Sequence, residues 1–117
     1  MKDLAFLIEM LGEEVTLKLV ETYGGTRRYV PQKLLEQHEM REALGDDGFE
    51  ALQKCFGGFD LPIPQAREWR FHIYNRSGLS ARIMARKLGL TERRVRQMMA
   101  GDVRSAHQIK NRQLSLF

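Results

Sequence analysis

The chain has 117 residues and a net charge of +4, with 43% hydrophobic and 29% charged residues. This composition is typical of one globular domain or two very small ones and excludes an intrinsically disordered protein. No apolar run approaches the roughly 20 residues of a membrane span, and Glu9 interrupts the apolar start that a signal peptide would need. We therefore expect a cytoplasmic protein.

Cysteine and histidine are too sparse for a disulfide framework or a metal site. Cys55 has no second cysteine to pair with, and His38, His72 and His107 lack metal-finger spacing. No histidine, serine or cysteine is arranged with a carboxylate in a catalytic pattern, and no glycine-rich loop begins a helix. We expect no enzymatic activity, no metal and no cofactor.

The charge is divided unevenly along the chain. Residues 1–64 carry 7 Lys and Arg against 12 Asp and Glu, whereas residues 65–117 carry 12 against 3. This basic excess favours a polyanionic partner such as nucleic acid, which the acidic part would repel. The alternative is a solvated basic surface with no partner.

Apolar spacing and glycines predict a mainly α fold with short β-strands. In the first part of the chain the pattern predicts a helix ending at Gly12, a second helix ending at Gly24-Gly25 and a strand over 26–30. It then predicts a helix over 34–44, another helix ending at Gly57-Gly58 and an extended piece over 59–64. Helical segments follow from 66 to about 100, with turns near 77–78 and at 89.

An internal repeat relates residues 11–32 to residues 44–65 at an offset of 33, with seven identities in 22 positions. Each copy has an acidic helix start, an aromatic residue in the last turn, two glycines and a strand that ends at a proline. We expect the first glycine of each pair to be left-handed and the second to reverse the chain. The two strands could pair within one chain or across a dimer. Pro62 removes one donor and predicts an edge position for the second strand.

The segment from Ser80 to Met99 has the spacing of a helix-turn-helix, which needs a small residue at the helix crossing and a glycine at the turn. Ala85 is the small residue and Gly89 the turn. Ser80 and Thr91 are placed to cap the two helices. Apolar residues fall on the inner faces at Met84, Leu88, Leu90, Val95 and Met98. The alternative is a helical hairpin that binds no ligand.

The second helix of this motif would enter the major groove. Arg93, Arg96 and Gln97 are candidate base readers, because arginine grips guanine and glutamine grips adenine through two hydrogen bonds. Glu92 could accept a hydrogen bond from cytosine. Arg94 lies towards the flank of the helix and is expected to contact a phosphate. Further phosphate candidates are Arg67, Arg70, Arg76, Arg82, Arg86 and Lys87. The residues predicted to bind DNA are Arg76, Ser80, Arg82, Lys87, Thr91, Glu92, Arg93, Arg94, Arg96 and Gln97. Each of the proposed contacts has the alternative of a solvated helix residue.

The order of these motifs resembles the Mor (middle operon regulator) family of phage transcription activators. The matching segments are Phe56-Gly57-Gly58 through Ile63-Pro64, Trp69-Arg70 to Tyr74-Asn75, Gly78, and Ala85 to Met98, and the likeness covers residues 11–100. The resemblance implies a homodimeric activator of phage or prophage origin that binds a near-palindromic operator and recruits RNA polymerase. It also implies an N-terminal dimerisation region, a strand linker and a C-terminal helix-turn-helix.

In this family the linker strands pair between subunits, a role that falls here on Gly57 to Pro64. The linker and dimer candidates are Gly24, Gly25, Tyr29, Pro31, Gly57, Gly58, Ile63 and Pro64. Pro62 and the upstream copy from Gly24 to Pro31 depart from the family pattern, so pairing within the chain stays open.

The last five residues resemble the short peptide by which bacterial proteins bind the replicative sliding clamp. The candidate contacts are Gln113, Leu114, Leu116 and Phe117. The alternative is that these apolar residues pack on the protein itself. We therefore expect a dimerisation region over 1–64, a DNA-binding domain over 65–105 and a flexible tail over 106–117, with a clamp-binding replication protein as the competing function.

Overall fold

Helices account for most of the structure, a computed structural model that describes residues 3–32 and 38–102. The helices are α1 (Leu4–Leu11), α2 (Glu13–Tyr23), α3 (Glu39–Phe56), α4 (Arg67–Arg76), α5 (Ala81–Leu88) and α6 (Glu92–Gly101), and the strands are β1 (Thr26–Tyr29) and β2 (Asp60–Ile63). The chain divides into two compact units, Met1–Ala66 and Arg67–Phe117. The prediction of a mainly helical fold with short strands is confirmed.

Two glycines interrupt the helices of the first unit at equivalent places in the repeat. Gly12 separates α1 from α2 with φ 86° and ψ 162°, and Gly45 interrupts α3 with φ 78° and ψ 170°. Such angles are essentially open to glycine alone, so the helix changes direction at both points. The part of the predicted 34–44 helix that precedes residue 38 lies outside the described residues.

The core of the first unit is built from both copies of the repeat. Leu19 and Leu52, which are 33 positions apart, are both fully buried, and so are Leu7 and Phe49. Phe56 is 1% exposed and meets the ring of Phe6 edge-on at a centroid distance of 6.0 Å. The apolar faces of both copies therefore share one core.

β1 and β2 form a two-stranded antiparallel sheet within the chain. Its register places Thr26 opposite Ile63 and Tyr29 opposite Asp60. Val30 and Ile63, which are equivalent in the repeat, are 0% and 3% exposed and anchor the sheet to the core. Of the two pairings that the sequence leaves open, the structure has the one within the chain.

The glycine pairs differ from the prediction in which residue adopts positive φ. Gly24 and Gly57 have φ of −53° and −55°, whereas Gly25 and Gly58 have φ of 83° and 86°. The first glycine of the pair is required for a different reason, because a side chain at this position would have no room. A Cβ at Gly24 would lie 2.5 Å from the carbonyl oxygen of Val20, too close for any other residue.

The described part of the second unit, residues 67–102, contains α4, α5 and α6. Its core includes Phe71, Tyr74, Met84, Leu88 and Val95, which are between 0% and 4% exposed. Because each of the three helices contributes residues to this core, the short α5 and α6 are stabilised by packing rather than by their own length. No helix among residues 3–32 and 38–102 is both long enough and apolar enough to cross a membrane.

Candidate nucleic-acid interface

α5 begins and ends with clear capping contacts. The Oγ of Ser80 accepts a hydrogen bond from the backbone N–H of Ile83 at 3.3 Å. At the other end, Gly89 is left-handed, with φ 67° and ψ 34°, and its N–H donates to the carbonyl of Ala85. A glycine adopts this conformation without the steric cost of a Cβ, so the helix ends where the sequence predicts a turn.

α6 starts directly after this turn. The Oγ1 of Thr91 accepts from the backbone N–H of Arg94 at 3.1 Å, which makes Thr91 the N-cap of α6. On the inner faces of the two helices, Ala85 is 6% exposed and Val95 is 0% exposed. Leu90 and Met98 are half-buried. Ser80 and Thr91 therefore position the helices through caps, as the sequence predicts.

The predicted base readers lie on one face of α6. Arg93, Arg96 and Gln97 are exposed and are spaced by three and four residues, so they form a single stripe on the side away from the buried Val95. The stripe continues to the small, exposed Ala100. It presents two guanidinium groups and one amide to solvent from a rigid helix.

Glu92 pairs with one of the base-reading candidates. Its Oε2 lies 3.2 Å from the Nη2 of Arg96, and the two side chains are 42% and 68% exposed. An exposed pair of this kind stabilises a helix by only about 0.3–0.5 kcal/mol, so other partners can displace it easily. The pair nevertheless favours one direction for the Arg96 side chain in the free protein.

Several of the predicted phosphate-binding residues are exposed. Arg76 lies at the end of α4, and Arg82, Arg86 and Lys87 lie on α5. The ammonium group of Lys87 lies 5.3 Å from the centroid of the Tyr74 ring. These side chains give the second unit a basic surface beyond the stripe on α6.

Arg70 is buried, which corrects its prediction as a phosphate contact. It is 8% exposed, its Nη2 donates to the carbonyl of Lys87 at 2.6 Å, and its Nε donates to the hydroxyl of Tyr74 at 3.3 Å. The Nε of Arg67 donates to the carbonyl of Leu88 at 3.2 Å. Both arginines thus satisfy carbonyls at the end of α5 that have no partner within the helix. Arg70 shares a helical face with Ile73 and Tyr74, and this spacing is the sequence signal for its burial.

Arg94 lies apart from the base-reading stripe. It lines a cleft of about 570 Å³ between α4 and α6, together with Phe71 and Met98. At one end of this cleft the carboxylate of Asp102, whose side chain is 10% exposed, lies 3.4 Å from the Nδ1 of His72 and accepts from Asn75 at 3.3 Å. Asp102 was not identified from the sequence. Its contacts fix the end of α6 to α4.

The predicted linker residues lie in the first unit. Gly24, Gly25, Tyr29 and Pro31 lie in or beside β1, and Gly57, Gly58, Ile63 and Pro64 lie in or beside β2.

The tail residues predicted to contact a sliding clamp lie outside the described residues, and so does His107. These tail residues are Gln113, Leu114, Leu116 and Phe117. In residues 3–32 and 38–102, no group of three or more His, Cys, Asp or Glu side chains could hold a metal ion. Cys55 is half-buried, with its Sγ 3.9 Å from the carbonyl oxygen of Met10.

No protein-family model, curated protein or solved structure matches this chain.

Proposed function

We propose that this protein binds double-stranded DNA and regulates transcription, with α5 and α6 acting as a helix-turn-helix. The observation that carries the proposal is the exposed stripe of Arg93, Arg96 and Gln97 on a helix held from behind by a buried face. Over the described residues 67–102, nine Lys and Arg stand against three Asp and Glu. A basic unit that projects a helix with these side chains has the charge and the chemistry for the major groove.

The residues of α6 would divide the tasks of base reading and positioning. Arg93 and Arg96 suit guanine, Gln97 suits adenine, and Glu92 can accept from cytosine. The exposed cations Arg76, Arg82 and Lys87 would contact phosphates, as would Arg94 at the flank of the helix. Phosphate contacts set affinity and its salt dependence, whereas base contacts set sequence preference.

The regulatory role rests on the resemblance to the Mor family, in which such a protein activates transcription by recruiting RNA polymerase. The homodimer that the resemblance implies is based on linker strands that pair between subunits. Here β1 and β2 pair with each other within the chain, so DNA binding as proposed does not depend on that dimer. The sliding-clamp alternative rests on residues 113–117, which lie outside the described residues.

The proposal is tested by titrating a fluorescent random-sequence duplex, about three helical turns long, with the protein at two salt concentrations. The wild type should bind, and binding should weaken as salt rises, because cations on the protein displace counterions from DNA. Arg93→Gln/Arg96→Gln should weaken binding to this random duplex at least about tenfold, because it removes two cations that displace counterions from DNA whatever the base sequence.

The matched control is Lys18→Gln/Lys54→Gln, which removes the same net charge from exposed positions of the first unit. It should bind like the wild type, as should a chain that lacks residues 113–117. Equal losses in the two double variants would contradict the assignment of α6. A loss only on deleting 113–117 would favour a function centred on the tail.

A further inference from the structure

The two copies of the repeat satisfy each other through reciprocal contacts. The N–H of Gly25 donates to the carbonyl of Ile63 at 2.7 Å, and the N–H of Gly58 donates to the carbonyl of Val30 at 2.7 Å. Both donors and both acceptors are related by the repeat offset of 33. Each copy therefore donates to the other the same hydrogen bond that it accepts from it. The two subunits of a symmetric dimer exchange contacts in this way.

The identical glycine and glutamine residues of the repeat are explained by the same exchange. A Cβ at Gly25 would lie 2.9 Å from the side chain of Gln65, and a Cβ at Gly58 would lie 2.5 Å from the side chain of Gln32. The glutamine of each copy thus covers the second glycine of the other. These surfaces are occupied within one chain and are not free to bind a second copy in the same way.

The outer edges of the sheet are also poorly suited to pair with another chain. Val30 donates to Phe59 at 2.9 Å, which makes Val30–Phe59 a hydrogen-bonded pair of the ladder. Since bonded and non-bonded pairs alternate, Arg27–Pro62 is non-bonded, and the nitrogen of Pro62 faces the outer edge of β2, where it offers no donor. β1 carries the charged Arg27 and Arg28, and charge discourages pairing at an edge.

The candidate DNA-binding helices occur once, although the repeat occurs twice. α5 and α6 follow the second copy, and in the described residues no such pair follows the first. A symmetric helix-turn-helix dimer reads two half-sites because it carries two recognition helices. Here the symmetric arrangement is complete within one chain that presents a single α6.

We infer that the DNA site of this protein is asymmetric: one chain reads one run of adjacent base pairs in one major groove, without an inverted second half-site. The inference rests on the proposed function. A single module contacts a small area of DNA and therefore few phosphates, so salt should weaken binding less steeply than it does for a dimer that carries two such modules.

The test uses the full chain to enrich binding sequences from a pool of random duplexes. Light scattering then gives the mass of the complex on the enriched duplex. The expected motif has no inverted repeat, and the complex contains one chain of 13.6 kDa per duplex. A second duplex that carries the motif twice, in inverted orientation, should bind two chains with equal and independent affinities.

A palindromic motif bound cooperatively by two chains would overturn the inference and leave the proposed function intact. Failure to enrich any sequence, together with a loss of binding to random duplex, would instead overturn the proposed function. A variant that weakens the reciprocal contact, Gln65→Ala, keeps α6 intact and should retain the asymmetric motif.

Discussion

At the scale of single residues, close packing explains why both copies of the repeat have a glycine at the first position of the Gly-Gly pair. Around Gly24, three backbone atoms of other residues lie within 3.2 Å of where a Cβ would be, including the carbonyl oxygen of Pro64 and the Cα of Gln65. Backbone atoms cannot rotate away as a flexible side chain can. Any side chain at Gly24 must therefore move α2 or the segment after β2.

Gly24→Ala is expected to lower the free energy of unfolding of the first unit by about 1–3 kcal/mol, the usual cost of overpacking. Chemical denaturation followed by circular dichroism measures this change. Lys18→Ala on the exposed face of α2, the helix that ends just before Gly24, is the control and should change stability by no more than about 0.5 kcal/mol. An alanine variant as stable as the wild type would mean that the close approach at Gly24 is absent.

Tyr23 makes the stability of the first unit depend on pH in the alkaline range. Burial, followed by the negative charge of Glu39, raises the pKa of its phenol above 10.0, against the opposing effect of Arg28. The folded protein therefore holds this proton more tightly than the unfolded chain does. Stability from this group is complete below pH 10 and is lost as pH rises through the raised pKa of the folded state.

Tyr23→Phe should remove that dependence, because phenylalanine does not ionise, and Phe56 already occupies the equivalent place in the second copy. At neutral pH we expect a change in the free energy of unfolding of about 1 kcal/mol or less. Denaturation at several pH values above 10 measures the slope, which should be shallower than in the wild type. Tyr29→Phe, at a position that is 58% exposed, is the matched control. Identical slopes for Tyr23→Phe and the wild type would rule out this role for Tyr23.

At the scale of elements, α4 supports α5 through two of its three arginines, Arg67 and Arg70. Arg70 and Arg67 donate to successive carbonyls at the end of α5, those of Lys87 and Leu88. Positive side chains at the carboxyl end of a helix also interact favourably with its dipole. α4 therefore acts as a brace for the end of α5 that leads into the turn at Gly89.

Arg70→Met should destabilise the second unit by about 1.5–3 kcal/mol, because it removes hydrogen bonds from a charged donor and takes that donor away from the part-buried carbonyl of Lys87. Thermal or chemical denaturation measures the loss. Arg86→Met, at an exposed position of α5, is the control for the lost charge and should leave the unit folded and nearly as stable. If the two variants proved equally stable, the bracing role of Arg70 would be wrong.

Local signals in the sequence predicted the helices and their interruptions. Gly12, Gly45 and Gly89 mark helix breaks because glycine alone adopts their backbone angles readily, and the repeat is visible as a fixed offset. The partner of each strand could not be predicted, because the backbone groups of a strand do not specify which chain pairs with them. The burial of Arg70 was missed because a count of positive charges does not separate exposed arginines from buried ones.

At the scale of the whole chain, charge and symmetry belong to different parts of the molecule. The acidic part of the chain, residues 1–64, contains the sheet and all but the last residue of the two repeat copies, whereas the basic residues 65–117 contain the candidate DNA-binding helices. An acidic unit is repelled by the phosphates that attract a basic one. The first unit therefore suits a structural or protein-binding role, and the proposed DNA contact is assigned to the second.

Whether α6 reads bases is measured by sequence enrichment from a pool of random duplexes, with the wild type and Arg93→Gln/Arg96→Gln compared in parallel. The wild type should enrich a short motif containing guanine, and the variant should lose this preference while its fold is unchanged by circular dichroism. Enrichment of the same motif by both proteins would contradict the claim that α6 reads DNA.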